Sequence, residues 1–261
     1  MEKPWLTEGP REFERWLARG SVDRDDVSRI SEGLEISAHG GIREVAKLQG
    51  PEVFFPGLTA RPWWSGADFP WLAELEAAAP TIRQELLAFG LDTSPPLSHW
   101  GEHTAKGDWR ALYLCTMGRP YAKNLQAFPL TLKILSALPG ASNCDMTFFS
   151  SVQRGTHIAA HTGFTNAHLR CHLSLVATEG SRIRVADETR GWREGRAFVF
   201  DDTFEHEVWN EGDQRRTVLL FDFWHPELTP PEIEALTFMM SVWRRMYARR
   251  FWADQLSGQP S

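Results

Sequence analysis

Six of the nine histidines (His157, His161, His168, His172, His206 and His225) fall between residues 157 and 225. Imidazole is the commonest metal ligand among side chains. This crowding marks a candidate metal site, although a single histidine is more often a surface group or a hydrogen-bonded core residue. Two pairs, His157/His161 and His168/His172, stand four apart. On a helix that spacing would put both rings on one face, but a helical zinc-protease motif also needs a Glu directly after the first histidine. Ile158 and Leu169 occupy those positions, so the helical zinc reading fails. The second pair belongs to an alternating run. Leu169, Cys171, Leu173 and Leu175 share one strand face, and His168, Arg170, His172 and Ser174 share the other. That polar face reads equally as the lining of a ligand-filled barrel or as a solvated surface.

Other polar features have structural readings. Asp201-Asp202, beside the His206 motif, is read as making turn and supporting hydrogen bonds. His225-Pro226-Glu227-Leu228 is read as structural, and Arg244-Arg245 with Arg249-Arg250 as a solvated helix face. Twelve tryptophans are core anchors by default. Cys115, Cys144 and Cys171, odd in number and widely spaced, read as reduced thiols of a cytoplasmic protein.

The elements that must position these groups are mostly strands. Asp145–Val152, Leu169–Val176, Ile183–Val185, Ala197–Phe200 and Arg216–Trp224 alternate or are apolar, with Gly- and Asp-containing turns between them. Such short, closely spaced strands predict an antiparallel sandwich or jelly roll. Ahead of them, residues 11–34 carry Phe13, Trp16, Leu17, Val22, Val27 and Ile30 at helical spacing, predicting two short amphipathic helices. A further helix is predicted from Trp71 to about Ala88, split in two by Pro80. Pro230 to about Leu256 predicts a closing helix.

Composition limits the function classes. With 261 residues, 42% hydrophobic and 24% charged, the chain is globular and long enough for one large domain plus a helical appendage. A net charge of −6 argues against a nucleic-acid surface. No apolar run approaches the roughly 18 residues of a membrane span, and Met-Glu-Lys-Pro-Trp lacks a signal-peptide pattern. The expected partner is a small-molecule or peptide substrate, not nucleic acid or membrane; no oligomeric state is specified.

Three stretches carry a family resemblance: Gly155–Asn166 continuing through Leu169–Leu173, then Phe200–Asn210, then Trp224–Leu228. Together they resemble the aspartyl/asparaginyl β-hydroxylase family of iron(II)- and 2-oxoglutarate-dependent oxygenases. Ala60–Trp64 and Gly107–Trp109 fit the same family upstream. The resemblance covers about residues 51–228 and implies a mainly β fold with flanking α: a double-stranded β-helix (jelly roll, cupin-like) core with N- and C-terminal helices. It divides the chain into an N-terminal helical extension (1–50) packed on the core, an oxygenase domain (51–228) and a C-terminal helix (229–261).

It also implies chemistry: Fe(II) and O2 with 2-oxoglutarate as co-substrate, decarboxylation being coupled to hydroxylation of an unactivated carbon, the β-carbon by family precedent. The substrate would be an amino acid, a peptide or an amino-acid-derived metabolite. His161 and His206 match the two iron ligands, which are thereby the catalytic residues. Arg216 matches the basic residue that grips the distal carboxylate of 2-oxoglutarate, with Ser150 beside it; Arg170 and His172 match the pair near its metal end. Most non-haem iron oxygenases add a carboxylate ligand to their two histidines. Here the residue two after His161 is Gly163, a gap the family shares and that water is thought to fill. The gap keeps a halogenase-like reading open, since chloride could take the position.

Two further readings are a metal-binding jelly roll without turnover and a lipid hydroxylase. The first would have little reason to keep the full co-substrate set; the second needs an anchor or interfacial helix that the sequence does not display. Relatives acting on peptide aspartate or asparagine place an Arg where His168 stands and a Lys where Phe148 stands. The strand after Trp109 offers Cys115 and Met117. His168 and Phe148, as tentative substrate residues, therefore predict a less acidic, more apolar substrate than aspartate, unless Arg154, Arg119 or Lys123 supplies a charge from another loop.

Overall fold

The structure is a computed structural model describing residues 3–20, 22–42, 48–90, 103–141 and 145–251. Cys144 and the end of the predicted last helix lie outside the described residues. In chain order the elements are helices α1 (Pro4–Thr7), α2 (Gly9–Leu17) and α3 (Ser28–Ala38), strand β1 (Trp63–Trp64), helix α4 (Leu72–Phe89), strands β2 (Thr104–Lys106), β3 (Trp109–Thr116) and β4 (Arg119–Pro120), and helices α5 (Ala122–Ala127) and α6 (Pro129–Ser136). Then come β5 (Met146–Val152), β6 (Thr156–His161), β7 (His168–Val176), β8 (Ser181–Val185), β9 (Glu188–Gly191), β10 (Ala197–Phe200), β11 (His206–Asn210) and β12 (Arg216–Trp224), and helix α7 (Pro230–Phe251).

The strands form two antiparallel sheets, one ordered β1-β10-β7-β12-β5-β3-β4 and the other β2-β6-β11-β8-β9. From β5 to β12 the chain crosses from one sheet to the other at every step except the β8–β9 hairpin, as a jelly roll requires. Phe148, Val152, Ile158, Ile183, Val208, Val218 and Leu220 form the apolar layer between the sheets. The outer face of the large sheet is also covered: Leu169, Cys171, Leu173 and Phe221 pack under Leu72, Leu75, Ile82 and Leu86 of α4. The polar face of β7 therefore looks into the barrel, which decides the ambiguity left by its alternation.

Two predicted features differ. Helix α4 is continuous through Pro80. Proline costs about 3 kcal/mol in a helix interior, but Leu72, Leu75, Ala79, Ile82 and Leu86 bury one stripe on the sheet, each worth about 1.5–3 kcal/mol for the larger side chains. The exposed ring of Pro80 points away from that stripe. Strands β6 and β11 and helices α5 and α6 are among the elements the sequence reading does not name: β6, β11 and α5 have too few apolar residues to show a period, and Leu130, Leu132, Ile134 and Leu135 of α6 alternate over too short a run to mark a helix.

The flanking helices share one cluster: Phe13, Trp16, Ile30 and Leu34 pack with Leu236, Met240 and Trp243 of α7. The cluster also includes Val53, Phe55, Ala167 and Trp224. Helix α3 approaches residues 54–55 so closely that a Cβ on Gly33 would strike the Phe54 carbonyl and the Phe55 ring. The Ser37 hydroxyl donates to the Gly33 carbonyl (2.7 Å) and accepts from the Phe54 amide (2.9 Å). Asn166 then grips Phe55 at both its N–H and its C=O, each at 2.8 Å. The helices thus bear on the segment that follows His161.

Candidate active site

His161 ends β6 and His206 begins β11, and the two are directly paired across the small sheet. Their ring centroids are 4.1 Å apart. The Nδ1 of His161 meets the Ala159 carbonyl at 2.8 Å, and that of His206 meets the Phe204 carbonyl at 3.1 Å. A ring that donates Nδ1–H to a fixed carbonyl presents Nε2 as its ligating atom. Burial and the adjacent His206 ring push His161 down to about 2, and burial also lowers His206. Both imidazoles are therefore neutral, the form that ligates a metal. Phe200 braces His206 edge-on at 5.7 Å, and His103 stacks on His161 at 4.8 Å.

Gly163, two residues on, donates its N–H to the Asp202 carbonyl at 2.7 Å. A Cβ at this position would collide with the Asp202 carboxylate. The Asp202 side chain therefore fills the space that a third ligand on residue 163 would enter, and glycine is the residue that allows it.

The same cavity, about 90 Å³, is lined by Ser150, Arg170, His172 and Arg216 as well as the histidine pair. Phe148 also lines it, between Ser150 and Met146. Arg216 is 1% exposed, and its Nε and Nη1 have no hydrogen-bond partner among the described residues. Its guanidinium lies 4.2 Å from the centre of the Trp192 ring, and burial lowers it to about 9. The Ser150 hydroxyl accepts from Trp109 Nε1 at 3.0 Å and so keeps its own hydrogen to donate. Neither ring nitrogen of His172 has a hydrogen-bond partner among the described residues; burial and Arg216 hold it neutral, well below the usual range. An unpaired buried cation beside a free hydroxyl donor suits a carboxylate ligand.

Arg170 is differently placed. Its Nε and Nη2 bond both oxygens of Asp222 at 2.8 and 3.0 Å, and its Nη1 reaches Asp202 at 2.8 Å. Burial opposes the charge, but the two carboxylates more than offset it and raise Arg170. They account for three of its five N–H bonds, so two remain for any ligand. Against the cost of burial, Arg170 and His168 together hold Asp202 well below its ordinary range. His168 is 0% exposed and does not line the cavity; it stands behind Asp202, 3.5 Å from its Oδ1. Burial alone would lower His168, but Asp222, Asp202 and Asp145 together raise it to about 9.

Asp145, His168 and Asp222 form a second group with metal-ligand spacing, their ligand atoms lying within 4.8 Å of one another. Both Asp222 oxygens already bind Arg170, and one also accepts the Met146 N–H at 3.2 Å. A divalent ion there would stand against a guanidinium, so the paired histidines suit a metal better.

Sequence reasoning missed Asp145, Trp192 and His103 as parts of this region, since none belongs to a motif of its own. The His225 motif is structural as read: His225 Nε2 meets the Thr59 carbonyl at 3.1 Å, and Glu227 accepts from the Thr59 amide and hydroxyl at 2.9 and 2.6 Å. Arg244 departs from a purely solvated face by donating to the Met117 carbonyl at 2.9 Å.

The family profile described as Aspartyl/Asparaginyl beta-hydroxylase matches residues 76–226. Human aspartyl/asparaginyl beta-hydroxylase is 38% identical over 188 residues, covering 69% of this chain and 25% of that protein. The ornithine lipid ester-linked acyl 2-hydroxylase of Rhizobium tropici is 35% identical over 198 residues, 71% of this chain and 68% of that protein. Human aspartate beta-hydroxylase domain-containing protein 2 is 34% identical over 225 residues, 79% and 61% of the two chains. This chain spans about a quarter of the length of the human enzyme and of its mouse counterpart. Since the profile takes in more than half of the residues and both histidine motifs, the chain belongs to the aspartyl/asparaginyl β-hydroxylase family.

Proposed function

We propose that this chain is an Fe(II)- and 2-oxoglutarate-dependent dioxygenase that hydroxylates an unactivated carbon, the β-carbon by family precedent, of an amino acid, a peptide or a metabolite derived from one. The observation that carries the reading is Arg216: a buried guanidinium whose Nε and Nη1 have no acceptor among the described residues, in the cavity that also holds two neutral, register-paired histidines. When bound, ferrous iron and 2-oxoglutarate supply the oxidising chemistry, with O2 consumed, the co-substrate decarboxylated to succinate and one oxygen atom inserted into a C–H bond.

The chain's own part is positioning. His161 and His206 would hold the metal through Nε2. Arg216 and the Ser150 hydroxyl would take the distal carboxylate, and Trp192 shields that charge pair from water. His172 and the two uncommitted N–H bonds of Arg170 face the rest of the co-substrate. Asp202, kept ionised by Arg170, fills the space beside Gly163; a chloride would meet that carboxylate, so a halogenase reading is disfavoured. A lipid-hydroxylase reading is not favoured either, because the wall at Asp145, Arg170 and Asp202 is charged where an acyl chain needs aliphatic lining. Free Cys115 and Cys171 support work in a reducing, cytoplasmic setting.

The test is anaerobic calorimetry of Fe(II) and then 2-oxoglutarate binding, followed by air and candidate substrates. Succinate release and a one-oxygen mass gain are expected, and His161→Ala should lack both. Failure of 2-oxoglutarate to bind the metal-loaded protein, or turnover retained in His161→Ala, would overturn the reading.

A further inference from the structure

Resting on that proposed function, we infer that Asp145 sets the specificity of the cavity and selects a substrate bearing a protonated amine. Asp145 stands immediately before β5, and the cavity wall runs from it through Met146 and Phe148 to Ser150. Along a strand, Asp145 and Ser150 are roughly 16 Å apart at about 3.3 Å per residue. A five-carbon dicarboxylate anchored at Ser150 and Arg216 is too short to reach it. The ligand that meets Asp145 is therefore the other occupant, the substrate.

The charges around Asp145 do not balance. Three buried carboxylates (Asp145, Asp202 and Asp222) face two cations, Arg170 and His168. Arg170 binds both oxygens of Asp222 and one of Asp202, and His168 stands against the other Asp202 oxygen. Asp145 makes none of these contacts and shares His168, which lies within 4.8 Å of it, with Asp202. It is 3% exposed, and its Oδ1 has no hydrogen-bond partner among the described residues. Burial raises its carboxyl to about 6, with Asp222 and Asp202 adding to the rise and His168 and Arg170 opposing it. A buried carboxylate without a partner is costly, and a ligand ammonium relieves that cost with a charge-assisted bond. Arg170 and Arg216 are the arginine or lysine side chains among the described lining residues; the first is spent on Asp222 and Asp202, and the proposed function assigns its two remaining N–H bonds and the Arg216 guanidinium to 2-oxoglutarate. Met146 and Phe148 offer the methylene-sized apolar wall that an alkylamine needs.

Three five-carbon probes, n-pentylamine, 1-pentanol and pentanoate, differ in charge but little in shape. Their binding is measured by saturation-transfer NMR on the whole 261-residue chain loaded with Zn(II), a redox-inert stand-in, and 2-oxoglutarate. Pentylamine should bind at least tenfold more tightly than either of the others. Asp145→Asn should cut that preference below threefold while 2-oxoglutarate affinity, the fold control, stays within twofold. Met146→Lys, which places an ammonium beside Asp145 within the chain itself, should abolish the preference and guards against a misfolded Asp145 variant. Equal binding of the probes, tighter binding of pentanoate, or a preference that survives both substitutions would overturn the inference. Failure of Zn(II) and 2-oxoglutarate to load would instead count against the oxygenase reading, and the comparison of pentylamine with pentanol, neither of which suits the Arg216 site, can still be made on the unloaded protein.

Discussion

Burying a guanidinium without an acceptor is unfavourable, and Arg216 is among the largest side chains wholly inside this protein. Its unpaired N–H groups cost about 1–3 kcal/mol. Replacing it with a flexible apolar side chain, Arg216→Met, should therefore raise the melting temperature of the ligand-free protein while removing the stabilisation that 2-oxoglutarate gives the wild type. A melting curve with and without 2-oxoglutarate checks both, and a fall in ligand-free stability would show a structural role. The pH dependence follows from the same group. Burial lowers Arg216 to about 9, so below that pH the guanidinium is charged and ready for a carboxylate. As pH rises through 9 the ligand-free protein loses the proton, and the dissociation constant of 2-oxoglutarate should climb. A calorimetric series from pH 7 to 10 reads this directly, and Arg216→Met should show no such climb. In the sequence this arginine was legible only through the family motif, because on β12 it shares its strand face with Val218 and Leu220 and looks like any residue of an apolar strand. Asp145 was illegible for a different reason: its significance is a charge count over four other residues drawn from β7, β12 and the loop before β11.

At the scale of elements, the sequence was most readable where one face alternates and least readable where the chemistry sits. Strands β7, β10 and β12 announce themselves by apolar residues that pack under α4 or between the sheets. The histidine strands do not: β6 reads Thr-His-Ile-Ala-Ala-His and β11 His-Glu-Val-Trp-Asn, with ligands taking positions that would otherwise carry a period. Only pairing across the sheet shows that His161 and His206 face each other. Helix α4 shows the opposite case, a local signal overruled by packing. Pro80 leaves the Glu76 carbonyl without its usual helical donor, yet the buried stripe holds the helix together. Pro80→Ala restores that donor at an exposed position, and should stabilise the protein by about 1–3 kcal/mol. The expected rise in melting temperature is several degrees, with metal and 2-oxoglutarate affinities unchanged. No rise would mean that the helix is already held as firmly by its contacts as an unbroken hydrogen-bond ladder would hold it.

The whole molecule is tied together by a layer that lies outside the chemistry. Helices α2 and α3 meet α7 in one apolar cluster, and that cluster reaches the site through Phe164, one residue beyond Gly163. The Phe164 ring packs edge-on against Trp243 at 5.2 Å and Trp5 at 6.4 Å, and its carbonyl accepts from the Glu52 and Val53 amides at 2.9 Å each. The β6–β7 connection that carries Gly163 is thus held from outside the barrel, by both ends of the chain. His161 itself is held from inside, by pairing with His206 and by the Ala159 carbonyl. These two supports predict a graded response. A protein beginning at residue 46 would expose Leu236, Met240 and Trp243 and lose the brace of α3 on residues 54–55, so its solubility and melting temperature should fall first. Metal affinity should fall less than in His161→Ala, because the paired strands stay intact. Gly33→Val applies the same logic without a deletion: its side chain would press on the Phe54 carbonyl and the Phe55 ring, pushing α3 off the segment that Asn166 grips. The expected result is a lower melting temperature with metal still bound, read by calorimetry on the folded fraction. Normal melting in both variants would make the N-terminal helices a detachable arm, and metal loss equal to that of His161→Ala would make them part of the site.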